Sequence, residues 1–465
     1  MKPRALVAQS GGPSPVINAS LLGVFQGCKD QPDSIGEVLA ARHGVEGILT
    51  EELVSLDAES PEEMELLSTT PAAGAIGTCR YKLGEGQQED FDRIVDVCAA
   101  HEIGYFFYIG GNDSMDTAAK VAALAAKRGV DLVCTGVPKT IDNDVGDPEL
   151  DLVDHTPGYG SAARYWAMIT QIVEEENRGM YPSEPVAVLQ AMGRTAGFIP
   201  AAARLADPYR EMPLQLYSAE SHHNLESLHH HVNEALSRRG RCIVVVSEGF
   251  DVGTLGEARD GFGHLEYGAS RNTVAQVVVS YLNDHGLAVR GNATFSIPGV
   301  LQRATSIFAS PVDQVEARGV GRHAVTVALE SGSGFMATIR RRGGGLKAGG
   351  LSVGGLGAGR STGYQPFYDK VPLSRVAASA RHLPKQWLSA DQLDVTDRFL
   401  AYAAPLIGTQ WPLVGINQAT GDSVAADGSG APRLTPGLQR FARLRLVPVP
   451  KLLPEYIPVK HRVTL

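Results

Sequence analysis

Short apolar runs alternate with helical patterns along most of the chain. The run "RALVAQS" predicts a buried strand, and "PVINASLLGVFQGCKD" after it predicts a helix. The same order recurs in "VDLVCTGVPKT" before "GSAARYWAMITQIVEEENRG", in "PVAVLQAMG" before "TAGFIPAAARLA", and in "RCIVVVSEGF" before "NTVAQVVVSYLNDHG". This alternation is typical of an α/β fold, with parallel sheets covered by helices on both faces. Ligands of such folds bind beyond the carboxyl ends of the strands.

Composition narrows the class of protein. With 465 residues the chain is long for one domain and suits two domains that share a cleft. A net charge of -9 without a long basic run argues against nucleic-acid or membrane-surface binding. No stretch approaches the roughly 20 apolar residues of a membrane span. Five scattered cysteines, with no CxxC pair, predict a reducing, cytoplasmic location.

Two glycine turns follow predicted strands and precede predicted helices. They contain Gly11 and Gly12 in "AQSGGPSPVINAS", and Gly110 and Gly111 in "YIGGNDS". Backbone amides in such turns can bind an anion. One turn alone is weak, because many α/β turns carry two glycines for steric reasons, but two turns in one sheet favour a phosphate site. Neither matches GxGxxG, so a dinucleotide is not favoured.

The stretch "GVPKTIDNDVGD" carries the sharpest chemical signal. It places Lys139, Asp142 and Asp144 within six residues after a predicted strand, where packing requires no such charges. One interpretation is a solvated loop. The other is a carboxylate base and a metal-facing carboxylate beside a cation for phosphate. The next predicted strand ends in "MGR", whose Arg194 can bind a phosphate or sugar hydroxyls.

Taken in order, these stretches resemble the phosphofructokinase family. The resemblance rests on "QSGGPSPVINA", "GTCRYKLG", "GGNDS", "PKTIDND", "HTPGYGSAARY", "MGR", "VVVSEGF" and "LQR", and "RHLPKQW" is similar to the pyrophosphate-using bacterial branch. It implies two Rossmann-like parallel-sheet domains with the active site in the cleft between them. The phosphoryl-donor domain would comprise residues 1–153 and about 304–350, and the sugar-phosphate domain residues 154–303. Residues 351–465 would form a C-terminal extension packing on both.

The resemblance also implies the phosphoryl donor. ATP-using members have a glycine where this chain has Asp113, and the α-phosphate of the nucleotide passes there. Pyrophosphate-using members have this aspartate and a lysine matching Lys139. A carboxylate at Asp113 would fill the space of the α-phosphate and repel it, since like charges about 4 Å apart cost ~4 kcal/mol at an effective dielectric near 20. We therefore expect reversible phosphoryl transfer from diphosphate to the C1 hydroxyl of fructose 6-phosphate.

Roles carry over to matching residues only as implications of the resemblance. Asp142 would be the general base, and Lys139 and Arg80 would stabilise charge on the transferred group. Diphosphate would be bound by Gly11, Gly12, Arg80, Asp113 and Lys139, and Mg²⁺ by Asn112 and Asp144. The sugar phosphate would be bound by Thr140, Ile141, Asp142, Met192, Gly193, Arg194, Glu248, Arg290 and Arg303.

Several departures leave alternatives open. Asn112 stands where many members have a magnesium-ligating aspartate; its amide oxygen can coordinate Mg²⁺ without adding charge. Gln190 and Val300 also depart from the family pattern. An ATP-dependent enzyme and a catalytically silent sugar-phosphate-binding homologue therefore stay open. The sequence does not state the oligomer, and we expect a homodimer. The glycine-rich stretch that continues to residue 363 is either a surface insertion or an active-site lid.

Overall fold

The computed structural model describes residues 2–84, 86–253, 272–342, 364–377, 380–408 and 440–462. The glycine-rich stretch at 343–363 lies outside the described residues. The strands are β1 (Arg4–Gln9), β2 (Val38–Ala41), β3 (Leu53–Ser55), β4 (Ile103–Gly110), β5 (Val133–Pro138), β6 (Val186–Ala191), β7 (Leu214–Tyr217), β8 (Cys242–Ser247), β9 (Ala293–Ser296), β10 (Phe335–Arg341) and β11 (Pro366–Pro372).

Helices separate most of these strands in sequence, as the alternating pattern predicts. They are α1 (Ile17–Lys29), α2 (Val45–Leu49), α3 (Pro61–Leu66), α4 (Gln88–Ala100), α5 (Asn112–Lys127), α6 (Tyr159–Met180), α7 (Phe198–Ala202), α8 (Leu225–Arg239), α9 (Val274–His285), α10 (Pro311–Ser331) and α11 (Asp397–Ile407). Among the described residues, none of these helices is both long and apolar enough to cross a membrane.

The strands form two sheets. The first has the order β11-β10-β5-β4-β1-β2-β3, and the second has the order β7-β8-β6-β9. All pairs in the second sheet are parallel. In the first sheet the edge strands β3 and β11 run antiparallel to their neighbours, so the expected purely parallel sheet is corrected at both edges. Antiparallel edges on a mostly parallel sheet are common in α/β folds.

The edge strand β11 belongs to the stretch expected to form a C-terminal extension. It pairs with β10 along its whole length, from Pro366 opposite Arg341 to Pro372 opposite Phe335. Part of the extension is therefore built into the first sheet and does not only pack on it. The boundaries of the two domains stay a prediction.

Helices cover both faces of the first sheet. Along β1, Leu6 and Ala8 pack on the side of α4 and α5, whereas Ala5 and Val7 pack on the side of α1 and α10. Because successive side chains of a strand point to opposite faces, burial on both faces requires a continuous apolar run. That requirement explains why "ALVA" in β1 has no polar residue.

The second sheet and the C-terminal region share a core with α6. Trp166 of α6 is fully buried and belongs to the same apolar cluster as Phe198 of α7 and Phe399 of α11. Helix α11 therefore packs against α6. Strands β1, β4 and β5 of the first sheet, and β6 and β8 of the second, end shortly before most of the candidate site residues, so the fold brings these residues together between the two sheets.

Candidate active site

The turn after β1 lies against three cationic side chains. Gly11 has φ +76°, and its N–H donates to the carbonyl of Cys79 over 3.0 Å. A Cβ added at Gly12 would lie 2.5 Å from Nη1 of Arg303 and 3.5 Å from Nη2 of Arg80. Nζ of Lys139 donates to the carbonyl oxygen of Gly12 over 2.6 Å. The two glycines thus allow cations to approach the backbone closely, which suits a multiply charged anion.

Lys139 is the buried amine among these cations. It follows β5, its own N–H donates to the carbonyl of Gly110 over 3.0 Å, and it is 3% exposed. Burial, together with the positive charges of Arg303 and Arg80, lowers its pKa to about 7, against the opposing effect of Asp142. A bound polyanion would reverse the unfavourable electrostatics, because it supplies the negative charge that the cluster lacks.

Asp113 has an ionic partner that sequence reasoning missed. It lies in the first turn of α5, and Nζ of Lys82 is 2.8 Å from its Oδ1. Lys82 therefore offsets the charge repulsion that we expected between Asp113 and a nucleotide. The two side chains still fill the space that the nucleotide would need. The sequence signal for this contact was that Lys82 lies two positions after Arg80 in "RYKLG". Alternate residues of a non-helical segment can point to one side, so Lys82 can face the same site as Arg80.

Two carboxylates and one arginine meet across the two sheets. Asp142 and Asp144 follow β5 of the first sheet, and Arg194 follows β6 of the second. Nε of Arg194 is 3.3 Å from Oδ2 of Asp142, and Nη2 is 2.7 Å from Oδ2 of Asp144. Burial raises the pKa of Asp142, although the charge of Arg194 opposes the rise. A carboxylate whose pKa is raised is a stronger base, as proton abstraction requires.

The neighbouring residues of this loop have different surroundings. Oγ1 of Thr140 accepts a hydrogen bond from the N–H of Asp142 over 3.1 Å. Ile141 is buried in the apolar cluster of α6, so its side chain contributes to packing. The structure therefore places Thr140 next to Asp142, the candidate base, whereas Ile141 packs in the core and anchors the loop.

Glu248 fixes the "MGR" turn after β6. Its Oε1 accepts hydrogen bonds from the N–H groups of Gly193, over 3.2 Å, and of Arg194, over 2.9 Å. Gly193 has φ +129°, and an added Cβ would lie 2.6 Å from the carbonyl oxygen of Ala196. Burial, together with the negative charge of Asp142, raises the pKa of Glu248 to about 7.

Gln302 is a second residue that sequence reasoning missed. It is buried next to Arg303, and its Oε1 accepts from the N–H of Met192 over 3.0 Å and from the indole N–H of Trp166 over 2.9 Å. The "LQR" triplet thus links the cation cluster to the "MGR" turn. The sequence signal for Gln302 was its place beside the candidate Arg303 in the "LQR" triplet.

The structure does not bring Arg290 together with the other candidates of this chain. Arg290 is exposed and precedes β9, whose first residue Ala293 pairs with Val186 at the start of β6. Since β6 and β9 are parallel, Arg290 lies at the amino ends of the strands, opposite to the end that leads to Met192. Arg290 and Arg303 are separated by the four residues of β9, and for this reason they lie at opposite ends of that strand.

Two side-chain oxygens fit a magnesium site. Oδ1 of Asn112 and Oδ1 of Asp144 are buried and have no hydrogen-bond partner among the described residues. Mg²⁺ prefers oxygen ligands from one or two side chains together with phosphate oxygens. A second group of metal-ligating atoms, from His230, His231 and Glu234 on α8, lies within 4.8 Å of one another, but its imidazoles suit transition metals rather than Mg²⁺.

The fold and the site agree with what the chain is similar to. Residues 4–328 match the family model Phosphofructokinase, and the chain belongs to the phosphofructokinase family. It is 34% identical over 461 residues to the pyrophosphate–fructose 6-phosphate 1-phosphotransferase of Halomonas elongata, covering 97% of this chain and 98% of that one. It is 36% identical over 418 residues to the protein of the same name from Methylococcus capsulatus, covering 88% and 92%.

Solved structures give the same result. The chain is similar to the pyrophosphate-dependent phosphofructokinase from Nitrosospira multiformis, with a TM-score of 0.80 and 32% identity, covering 98% of this chain and 100% of that one. The family and the α/β fold class expected from the motifs are therefore confirmed.

Proposed function

We propose that this protein is a diphosphate-dependent phosphofructokinase. It transfers a phosphoryl group reversibly from diphosphate to the C1 hydroxyl of fructose 6-phosphate, giving fructose 1,6-bisphosphate and phosphate. The observation that carries the proposal is the contact of Lys139 with the turn at Gly12, beside Arg80 and Arg303, within the same cleft as Asp142. Cations for a small polyanion and a buried carboxylate base are the parts that this reaction needs.

The proposed mechanism uses positioning and electrostatics. Asp142 takes the proton of the C1 hydroxyl, and the oxygen attacks a phosphorus of diphosphate in line. The new O–P bond forms as the bridging O–P bond breaks, and phosphate leaves. Lys139 and Arg80 stabilise the charge that develops on the transferred group. Arg194 exchanges its carboxylate partners for the sugar phosphate when substrate binds, which frees Asp142.

Magnesium is part of the proposal. Bound through Asn112 and Asp144, Mg²⁺ would neutralise charge on diphosphate. Because Asn112 is uncharged, Asp144 supplies the only protein charge of this pair. Thr140, Met192, Gly193, Glu248 and Arg303 complete the proposed sugar-phosphate site.

Exposed apolar side chains support a homodimer. Phe295, Ile297, Val300, Leu301 and Ile307 are all exposed and lie close together in sequence on either side of Arg303. Large exposed apolar patches mark interaction sites, and a second copy is the commonest occupant in soluble proteins. Leu301→Glu should shift the mass measured by light scattering to that of a monomer. The five cysteines are free and buried, which supports a cytoplasmic location.

A comparison of phosphoryl donors tests the proposal. Purified protein is given fructose 6-phosphate and Mg²⁺ with either diphosphate or ATP, and fructose 1,6-bisphosphate is followed. Turnover with diphosphate alone supports the proposal, and turnover with ATP alone refutes the donor assignment. Silence with both donors, together with sugar-phosphate binding, would favour the catalytically silent homologue. The Asp142→Ser variant serves as the control for contaminating kinases.

A further inference from the structure

One buried arginine makes several hydrogen bonds to the segment 140–146, here called the catalytic loop. Arg381 is 1% exposed and comes from the C-terminal region. Its Nε donates to the carbonyl of Asn143 over 2.6 Å, and its Nη2 donates to Oδ1 of Asn143 over 2.6 Å and to the carbonyl of Asp154 over 3.0 Å. Its Nη1 donates to the carbonyl of Val153. Its backbone N–H donates to the carbonyl of Asp144 over 2.8 Å.

The residue that Arg381 grips lies between the two functional carboxylates. Asn143 separates Asp142 from Asp144 and has φ +59°, in the left-handed region. Its Nδ2 donates to the hydroxyl of Tyr402 over 2.8 Å, and its Oδ1 also accepts from the N–H of Thr156 over 3.1 Å. Left-handed backbone persists in a non-glycine residue where surrounding contacts over-determine it.

The peptide groups on either side of Asn143 set the directions of its neighbours' side chains. If the carbonyl of Asn143 rotates, Asp142 and Asp144 leave the geometry in which both meet Arg194. The forked guanidinium binds the Asn143 carbonyl and its side chain at the same time, which fixes that rotation. A lysine amine carries the same charge but has a single nitrogen and cannot reproduce the fork.

We propose that Arg381 is a positioning residue that holds the catalytic loop in the conformation presenting Asp142 and Asp144 to the substrates. The proposal rests on the proposed function as regards catalysis, but the holding of the loop can be measured without turnover. Arg381 touches no reacting group, so it acts through the catalytic loop, which it ties to the carbonyls of Val153 and Asp154.

The test compares Arg381→Lys with a matched control, Arg204→Lys. Arg204 is 2% exposed and has a similar number of partners, donating to Asp394, Asp207 and the carbonyl of Leu214, and none of these partners belongs to the catalytic loop. Both variants should lower Tm. Only Arg381→Lys should lower kcat, by roughly ten- to a hundredfold, with KM for fructose 6-phosphate changed by less than about threefold.

Two further measurements separate positioning from general stability. Hydrogen exchange should be faster at the amides of the catalytic loop in Arg381→Lys and unchanged there in Arg204→Lys. Guanidinium ions at non-denaturing, millimolar concentration should restore part of kcat in Arg381→Ala, because they fill the vacated site.

The proposal is overturned if Arg381→Lys keeps kcat within about twofold of wild type, or if kcat falls equally in both variants in proportion to lost folded protein. If wild type has no turnover with either donor, the proposed function fails, and loop exchange alone then decides whether Arg381 holds the loop. Unchanged exchange in a folded Arg381→Lys protein would refute it.

Discussion

The ammonium group of Lys82 lies 2.8 Å from the carboxylate of Asp113. The two side chains come from the segment before α4 and from the start of α5, and they form a pair with little net charge. We therefore expect discrimination against ATP at this position to depend on occupied volume more than on unpaired negative charge. This distinction can be tested, because the two residues can be changed separately.

Replacing Asp113 should alter the choice of donor. Asp113→Gly removes the occupying side chain, so we expect turnover with ATP to appear and kcat/KM for diphosphate to fall by roughly ten- to a hundredfold. Lys82→Gln leaves the carboxylate in place and should still reject ATP, while KM for diphosphate rises. Steady-state kinetics with both donors measures this. An Asp113→Gly protein that retains full diphosphate activity and no ATP activity would contradict the argument.

Lys139 should give the activity a pH dependence. Its pKa in the free protein is about 7, so it carries its charge below that pH and loses it above. We expect kcat/KM for diphosphate to decline as the pH rises through about 7, since kcat/KM reports the free enzyme. Lys139→Arg stays charged and should lose this decline. Lys120→Arg is the exposed control, and persistence of the decline in Lys139→Arg would assign it to another group.

Asp142 should be needed for chemistry more than for binding. Asp142→Ser removes the base, and we expect kcat to fall by about two to four orders of magnitude, with much smaller changes in substrate binding. Rapid-quench measurement of a single turnover would locate the loss in the chemical step. Asp131→Ser changes an exposed aspartate at the other end of β5 and should leave kcat unchanged. Activity of Asp142→Ser within about tenfold of wild type would remove Asp142 as the base.

Glu248 should make stability depend on pH. Its pKa rises from 4.5 to about 7 on folding, so the folded state holds its proton more tightly. The resulting stabilisation is fully present below pH 4.5 and is lost as the pH rises through about 7. Relative to Glu248→Gln, wild type should lose on the order of 3 kcal/mol of unfolding free energy between these limits. Urea titrations at several pH values measure this, with Glu226→Gln as the control. If the unfolding free energies of wild type and Glu248→Gln change in parallel with pH, the assignment to Glu248 is wrong.

A methyl group at Gly12 should disturb binding without unfolding the protein. In Gly12→Ala the new Cβ would meet Nη1 of Arg303, the far end of a flexible side chain, so that side chain must move. We expect KM for substrates to rise by about tenfold or more with little change in Tm. Gly74→Ala adds the same methyl where no atom lies within 4 Å. If Gly12→Ala and Gly74→Ala have the same KM, substrate binding does not depend on the present position of Arg303.

Much of the candidate site was predictable because it follows strand ends. Gly11, Asp113 and Asp142 each come within four residues of the end of a strand that periodicity identifies, and parallel strands bring their carboxyl ends to one edge. Arg290 shows the limit of this reasoning. Its position near Arg303 in the sequence does not show that β9 lies between the two residues. That strand places Arg290 at the amino end of the sheet, away from the candidate site.

The sequence by itself determined the alternation of the central strands with helices, the two-sided burial of those strands and the family, because these depend on local periodicity and on motifs within a few residues. Only the tertiary structure decided the contacts between distant segments. Arg381 lies 238 residues from Asn143, and Arg194 reaches Asp142 and Asp144 from another sheet. The pKa of Lys139 likewise depends on burial and on Arg303, and the order of residues along a chain does not encode the distance between side chains or their exclusion from water.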